Sequence, residues 1–432
     1  MRGETALASR SEALSGGTLT PMIGRDEELD LLLRRWRQAK SGEGRMVLIS
    51  GEPGIGKSRL IVELEQRIAA EPHVSLRYFC SPHYQDSPLH PIIARWEQAA
   101  GFVRGDGSAE KLRKLEAMLL PGGTSAEDVA LIADLLSVPT DERYPKLEYS
   151  PQRKKQKTFE ALIRRLAGLA RTDPVLLLFE DAHWADPSTL ELLETTMDRL
   201  AELPALLVVS FRPEFTAPWI GRAGVSLIAM SRLDRRESAV LAKRVTLAHA
   251  LPAALLDRIV AQTDGVPLFI EELTKAVLET AVQPEGATLA VPDTLQASLM
   301  ARLDRLPAAK TVAQIGAVIG RSFSYELIAA VAELPEPALR EGLGQLVGSG
   351  LAFERGVPPD ASYTFKHALV QEAAYDSLLR SRRAALHARV VEVLRAREPG
   401  IEESRPDLLA HHCEQAGLVE QAVEYYTSRP VR

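Results

Sequence analysis

The chain has 432 residues, 46% of them apolar and 25% charged, enough for two to four domains at roughly 100–200 residues each, with cores that need no covalent staple. Its only cysteines, Cys80 and Cys413, exclude a disulfide framework or a cysteine-rich zinc site and fit a reducing cytoplasm. Fifty-two Lys and Arg against 58 Asp and Glu leave a net charge of −6, which argues against nucleic acid or an anionic membrane as the main partner.

The first twenty residues are polar and have no apolar core of the secretory kind, so 1–20 is expected to be a flexible linker. Order is expected from Ile23, with Asp26 capping a helix that runs towards Arg37. Met46–Ile49 is a short apolar run closed by Gly51 and predicts a buried strand; a helix over Ser58–Ala70 and a second strand, Val74–Phe79, follow. Residues 103–150 read as a helical insertion broken at Pro121-Gly122-Gly123 and Pro139, and the basic run from Arg153 to Lys157 opens a helix with a solvated face. Three more strand-length runs, Pro174–Phe179, Ala205–Val209 and Val225–Ala229, are all far short of the roughly 20 residues of a membrane span. Continuous apolar strands alternating with helices predict a parallel sheet covered by helices on both faces, an α/β domain over 21–232.

From Leu233 the pattern is helical. An all-helical lid is expected over 233–290, with helix starts at Asp234 and Pro252 and a break at Gly265-Val266-Pro267. Helices followed by two strands, Leu351–Val357 and Ser362–Phe365, predict a winged-helix domain at 293–382. Residues 383–432 read as the helical start of a tetratricopeptide-like array, with small residues at Ala416-Gly417; about three such repeats are needed to bury their own faces. In the same stretch His411, His412 and Cys413 look metal-like, but neighbours on a helix diverge by about 100°, so two partly exposed histidines and a packed cysteine are expected instead.

The strongest chemical signal is Gly51-Glu52-Pro53-Gly54-Ile55-Gly56-Lys57-Ser58, a G-x-x-x-x-G-K-[ST] loop placed between a predicted strand and helix. Its glycines let backbone N–H groups curl around phosphates, and the helix start adds its positive dipole end. Lys57 is expected on the β- and γ-phosphates of ATP and the Ser58 hydroxyl on Mg²⁺, with Arg59 next in the helix. A second element, an acid at a strand tip, is supplied by Glu180 and Asp181; both are candidates for the metal shell and for handling water. Arg212, after the Ala205–Val209 strand, is a third candidate, since strand ends converge on the ligand crevice; the alternative is a solvent-facing loop arginine. His183 and Trp184 read as packing residues.

Five segments occur in order: Ile23-Gly24-Arg25, GEPGIGKS, LLLFEDAHWADPSTLELL, SFRPEF and GVPLFIEEL. Together they resemble the AAA-type P-loop module of signal-transduction ATPases with numerous domains, as found behind bacterial class III adenylate/guanylate cyclase domains and in large LuxR-type regulators. The resemblance implies that Ile23 and Arg25 lie against adenine, that Arg212 senses the γ-phosphate, and that Pro267 packs near the base and ribose. It also implies that His367, in Thr364–Glu372, contacts the ADP phosphates, against a structural histidine at a helix start. Residues 2–15 look like the linker behind a cyclase domain. The helix Pro337–Val347 carries Arg340 between Glu336 and Glu341 and no Lys, too few cations to read a DNA groove, so no direct nucleic-acid partner is expected. Protein partners are expected on the helical C-terminal half, a cyclase or regulator domain among them, together with ATP-dependent self-association. The reading is thus a cytoplasmic ATP/ADP switch with slow hydrolysis; a nucleotide-bound scaffold without turnover is the alternative, and a small-molecule kinase a weaker third.

Overall fold

The computed structural model describes residues 21–85, 87–103, 105–246, 252–281, 294–398 and 400–427. The expected linker 1–20, the boundary at Pro284–Pro292 and the last five residues lie outside them.

Helix α1 (Asp26–Lys40) has three acids in its first turn and Arg37 and Lys40 in its last, the order its dipole favours. It buries Leu29, Leu32, Trp36 and Ala39, one stripe at helical spacing. Strands β1 (Arg45–Ser50), β2 (Val74–Phe79), β3 (Val175–Glu180), β4 (Ala205–Phe211) and β5 (Val225–Ala229) form a parallel sheet in the order β2-β3-β4-β1-β5. Period-two alternation divides the strand residues between two cores. Val47, Ile49, Leu176, Leu178, Leu206 and Val208 meet α1 and helix α2 (Lys57–Ile68). Met46, Leu48, Leu177, Phe179, Leu207 and Val209 fill the opposite face under α6 (below) and α7. With both faces covered, β3 and β4 are buried throughout.

Helices α3 (His90–Ala99), α4 (Ser108–Leu119), α5 (Ala126–Leu135) and α6 (Pro151–Ala170) fill the long span between β2 and β3, and α7 (Pro187–Leu200) follows β3. The insertion has its own small core, including Leu112, Leu115, Leu119, Val129 and Ile132. The basic run faces acids: Lys154 to Asp134 at 3.0 Å, Lys155 to Glu191 at 2.7 Å and Lys157 to Glu127 at 3.0 Å.

Helices α8 (Arg235–Val245), α9 (Ala253–Thr263) and α10 (Pro267–Ala281) pack around Leu241, Ile259, Phe269, Ile270 and Leu273. Asp234 and Glu237 cap α8 reciprocally. Next come α11 (Leu295–Asp304), α12 (Pro307–Ile319), β6 (Ser322–Ser324), α13 (Tyr325–Ala332), α14 (Glu336–Gly348), β7 (Ala352–Arg355), β8 (Ser362–Phe365), α15 (Ala368–Asp376), α16 (Arg380–Arg397), α17 (Pro406–Ala416) and α18 (Val419–Thr427). Strands β6, β8 and β7 form an antiparallel sheet in that order; β6, three residues long, is too short to show a sequence pattern. A single apolar cluster runs from Leu299 to Tyr425, so side chains on both sides of position 382 share one core.

The expectation of two partly exposed histidines is corrected for one of them. His412 is buried, its Nδ1 2.7 Å from His387 Nδ1, and Tyr375 Oη lies 2.9 Å from His387 Nε2. The helix periodicity is right; what turns His412 inward is a polar partner on α16, not visible from the local pattern. The same terminal helices dock on the loop after β2: Ser87 donates to Asp407, and Arg405 lies 3.5 Å from Glu97.

Candidate nucleotide site

The glycine-rich loop joins β1 to α2 at the carboxyl edge of the sheet, where an open α/β sheet binds its ligands. Gly56, with φ 105°, takes a backbone shape that side chains rarely adopt, which explains a glycine just ahead of Lys57. Lys57 is buried, and its Nζ donates to the Gly51 carbonyl at 2.6 Å and the Glu52 carbonyl at 3.0 Å, so the ammonium is curled into the loop. Ser58 Oγ donates to Glu180 Oε2 at 2.5 Å, bringing two sequence-distant candidates into contact. Arg59, one residue on, pairs with Glu63 at 3.2 Å.

The two acids after β3 have different surroundings. Glu180 is fully buried against Ser58 and Arg77; Arg77 Nε and Nη2 both lie on its Oε1, at 2.7 and 2.6 Å. Asp181 turns outward through a left-handed backbone (φ 58°), its N–H donates to Ser210 Oγ at 3.2 Å, and its carboxylate is 3.8 Å from Arg321. Arg77 and Ser210 were not singled out from sequence. Their signal was a charge inside the mixed strand Val74–Phe79 and a lone polar residue inside the otherwise apolar strand Ala205–Phe211. Burial works against the Arg77 charge, yet Glu180 and Glu65 outweigh it and hold the guanidinium pKa above its ordinary value.

The donor set suits a hard cation. Ser58 and Glu180 present oxygen atoms side by side, the chemistry Mg²⁺ prefers. Among the described residues no cluster of three or more His, Cys, Asp or Glu would hold a metal alone.

The helical segment closes over the loop. Leu268 N–H donates to the Gly54 carbonyl at 3.2 Å, with Pro267 as the first residue of α10. At Gly265 (φ 72°) an added Cβ would fall 2.2 Å from the Leu233 carbonyl, so the turn before α10 requires glycine. Glu52 and Asp264 both pair with Arg232, linking loop and lid. Ile23 packs into the lid core, and Arg25 is buried, bonded to the Ser231 carbonyl at 2.5 Å and to Glu28 at 3.2 Å. A cavity of about 330 Å³ between loop, lid and α15 is lined by Pro53, Val266, Phe269, Leu369 and Glu372, among others.

Two candidates have partners that the sequence did not announce. Arg212 lies over the Trp184 ring at 5.6 Å and donates to Glu372 of α15 at 2.8 Å. His367 sits at the start of α15, half-buried and near Glu272; desolvation pushes its pKa down to about 3, and its Nε2 has no partner among the described residues. Glu272 itself is held below the usual range: burial alone would raise it, but Lys275 at 3.1 Å and the buried Arg302 prevail. His183, half-buried, is likewise pushed down to about 4 by desolvation. On α14, Arg340 is occupied by Glu336 at 2.7 Å.

A glycine-rich phosphate loop on β1, an acid at the tip of β3 and β4 inserted between the two strands define a P-loop nucleotide-binding module. Residues 21–209 match the sequence profile of the AAA ATPase domain family. An uncharacterised protein of Rhizobium meliloti (strain 1021) is 31% identical over 419 residues, 94% of this chain; the chain spans 40% of that relative's length. Among solved structures, a signal-transduction ATPase with numerous domains and a tetratricopeptide repeat sensor, from Pyrococcus horikoshii, is similar at 14% identity and a TM-score of 0.49, over 95% of this chain and 58% of that one. The Aeropyrum pernix ORC1 protein, solved in complex with DNA, aligns at 15% identity and a TM-score of 0.42, over 85% of this chain and 96% of that one. No helix among the described residues is long and apolar enough to cross a membrane.

Proposed function

We propose that the chain is an ATP/ADP-operated switch that hydrolyses ATP slowly. The observation that carries this reading is the convergence of Lys57, Ser58 and Glu180 at one end of the sheet. On nucleotide binding, Lys57 exchanges two carbonyl partners for phosphate oxygens, the backbone N–H groups of Gly54–Ser58 take the remaining charge, and α2 adds its dipole. Mg²⁺, when bound, would supply charge neutralisation at the nucleotide's phosphates. Ser58 and Glu180 would hold it, and Asp181, at the strand tip, orients the attacking water.

Two contacts tie the sheet edge to the C-terminal half: Arg212 to Glu372 and Asp181 to Arg321. We read them as a closed arrangement. Arg212 and Asp181 are the groups a γ-phosphate and its water would recruit, so ATP favours an arrangement in which both pairs are broken. A ligand shifts such an equilibrium only by binding one state better, and these two residues supply that difference. In this reading α12 to β8 form a winged-helix element acting as the moving arm, and α17 and α18 begin a tetratricopeptide-like array. The partners are proteins, a cyclase or regulator domain among them, met by the helical half. Lys57→Ala is expected to abolish ATP and ADP binding in calorimetry; wild-type affinity in that variant would overturn the assignment. Phosphate release lost in Glu180→Gln and Asp181→Asn supports turnover, whereas nucleotide that co-purifies and never turns over supports a scaffold.

A further inference from the structure

We propose that Arg77 is a positioning residue that fixes the Glu180 carboxylate for the metal-bound nucleotide. The inference rests on the ATPase reading and deepens it. Arg77 lies on β2, the edge strand beside β3, opposite Leu178 and two residues from the level of Glu180. Side chains of one register face alternate, so Arg77, Leu178 and Glu180 emerge together on the face covered by α2. There the guanidinium donates Nε to Oε1 of Glu180 at 2.7 Å and Nη1 to Glu65 Oε2 at 2.9 Å, while Nη2 is in ion-pair reach of Oε1 without a hydrogen bond. Oε2 of Glu180 is left for Ser58.

The two oxygens of Glu180 divide between the partners, Oε1 to Arg77 and Oε2 to Ser58. The planar guanidinium fork, with donors at fixed angles to Glu180 and Glu65, fixes where Oε1 sits; a lysine would supply charge without that directional constraint. Burial makes the arrangement obligatory. With Glu180 fully buried and the Arg77 side chain 2% exposed, neither charge has water as an alternative partner. Glu65, on α2 with Ser58, anchors the far side of the fork and ties the carboxylate to the helix that carries the metal-binding hydroxyl.

The test replaces Arg77 and Glu65 together, so that Glu180 is the one acid that loses its guanidinium partner. The readout is the gain in affinity for a non-hydrolysable ATP analogue on adding Mg²⁺, measured by calorimetry, so it does not depend on turnover. In Arg77→Met/Glu65→Gln the metal-free affinity is expected to stay within about twofold of wild type, while the Mg²⁺-dependent gain falls about tenfold or more, the usual cost of losing an outer-shell partner. Arg77→Lys, which keeps the charge and loses the fork, should recover part of that gain, and Glu65→Gln alone most of it. A folded double variant with the full wild-type Mg²⁺ gain would overturn the proposal and leave Arg77 as a structural ion. Should the double variant not fold, a full wild-type gain in Arg77→Lys would overturn it equally. Absence of any nucleotide binding in wild type would instead refute the ATPase reading itself.

Discussion

Replacing Glu372 with alanine removes the carboxylate that holds Arg212 at 2.8 Å and so tests the closed arrangement directly. The pair is accessible: the two side chains are 24% and 40% exposed, and water competes for both charges. Pairs of this kind contribute about 0.2–1 kcal/mol, the Coulomb attraction being mostly offset by hydration and by ordering two side chains. A loss of that size changes the ratio of closed to open molecules by about 1.4- to 5-fold. The assay is the release rate of a fluorescent ADP analogue on dilution into excess unlabelled ADP, at low and high salt. Glu372→Ala is expected to release about 1.4 to 5 times faster at low salt, and the difference should shrink at high salt, where exposed charges are screened. Glu372 lies outside the phosphate loop, so the equilibrium is altered without removing a nucleotide ligand. Release at the wild-type rate at low salt, with no coupling between Arg212→Ala and Glu372→Ala in a double-mutant cycle, would refute the reasoning.

Two further predictions concern the lid and the arm. Gly265→Ala places a methyl 2.2 Å from the Leu233 carbonyl at a φ of 72°, so it should destabilise the protein by more than about 1 kcal/mol and lower its thermal midpoint; an unchanged midpoint would contradict the turn geometry. His367 has a folded pKa of about 3 against 6.5 when exposed, so between those values the unfolded chain carries the extra proton. Its contribution is therefore whole above pH 6.5 and is lost as the pH falls. Between pH 6 and 5, wild type should lose about 1 kcal/mol more stability in urea titrations than His367→Gln; parallel losses would mean that the imidazole is solvated.

The sequence by itself determined the local chemistry. Continuous apolar runs bounded by turn residues located the inner strands β1, β3 and β4, because a strand buried on both faces has no polar register to confuse it; the edge strands β2 and β5, interrupted by Ser75, Arg77 and Ser226, were located by strand length and flanking turn residues. The loop from Gly51 to Ser58 and the acids at 180 and 181 were legible because phosphate and metal chemistry demands those residue types at fixed positions relative to a strand end. Even the basic run at 153–157 read correctly as a surface, since helical spacing alone shows that it has no apolar stripe of its own. Only the tertiary structure decided the strand order, which inserts β4 between the loop strand and the acid strand and so sets the distance between Ser58 and Glu180. It also decided the partners of isolated polar residues: Arg77 with Glu180 across 103 positions, Arg212 with Glu372 across 160, and His412 with His387 across 25. The physical reason is the same in each case. A backbone pattern is read from neighbours a few residues apart, whereas the charge that a buried or half-buried side chain needs comes from any element that folding packs against it, and the local pattern does not say which.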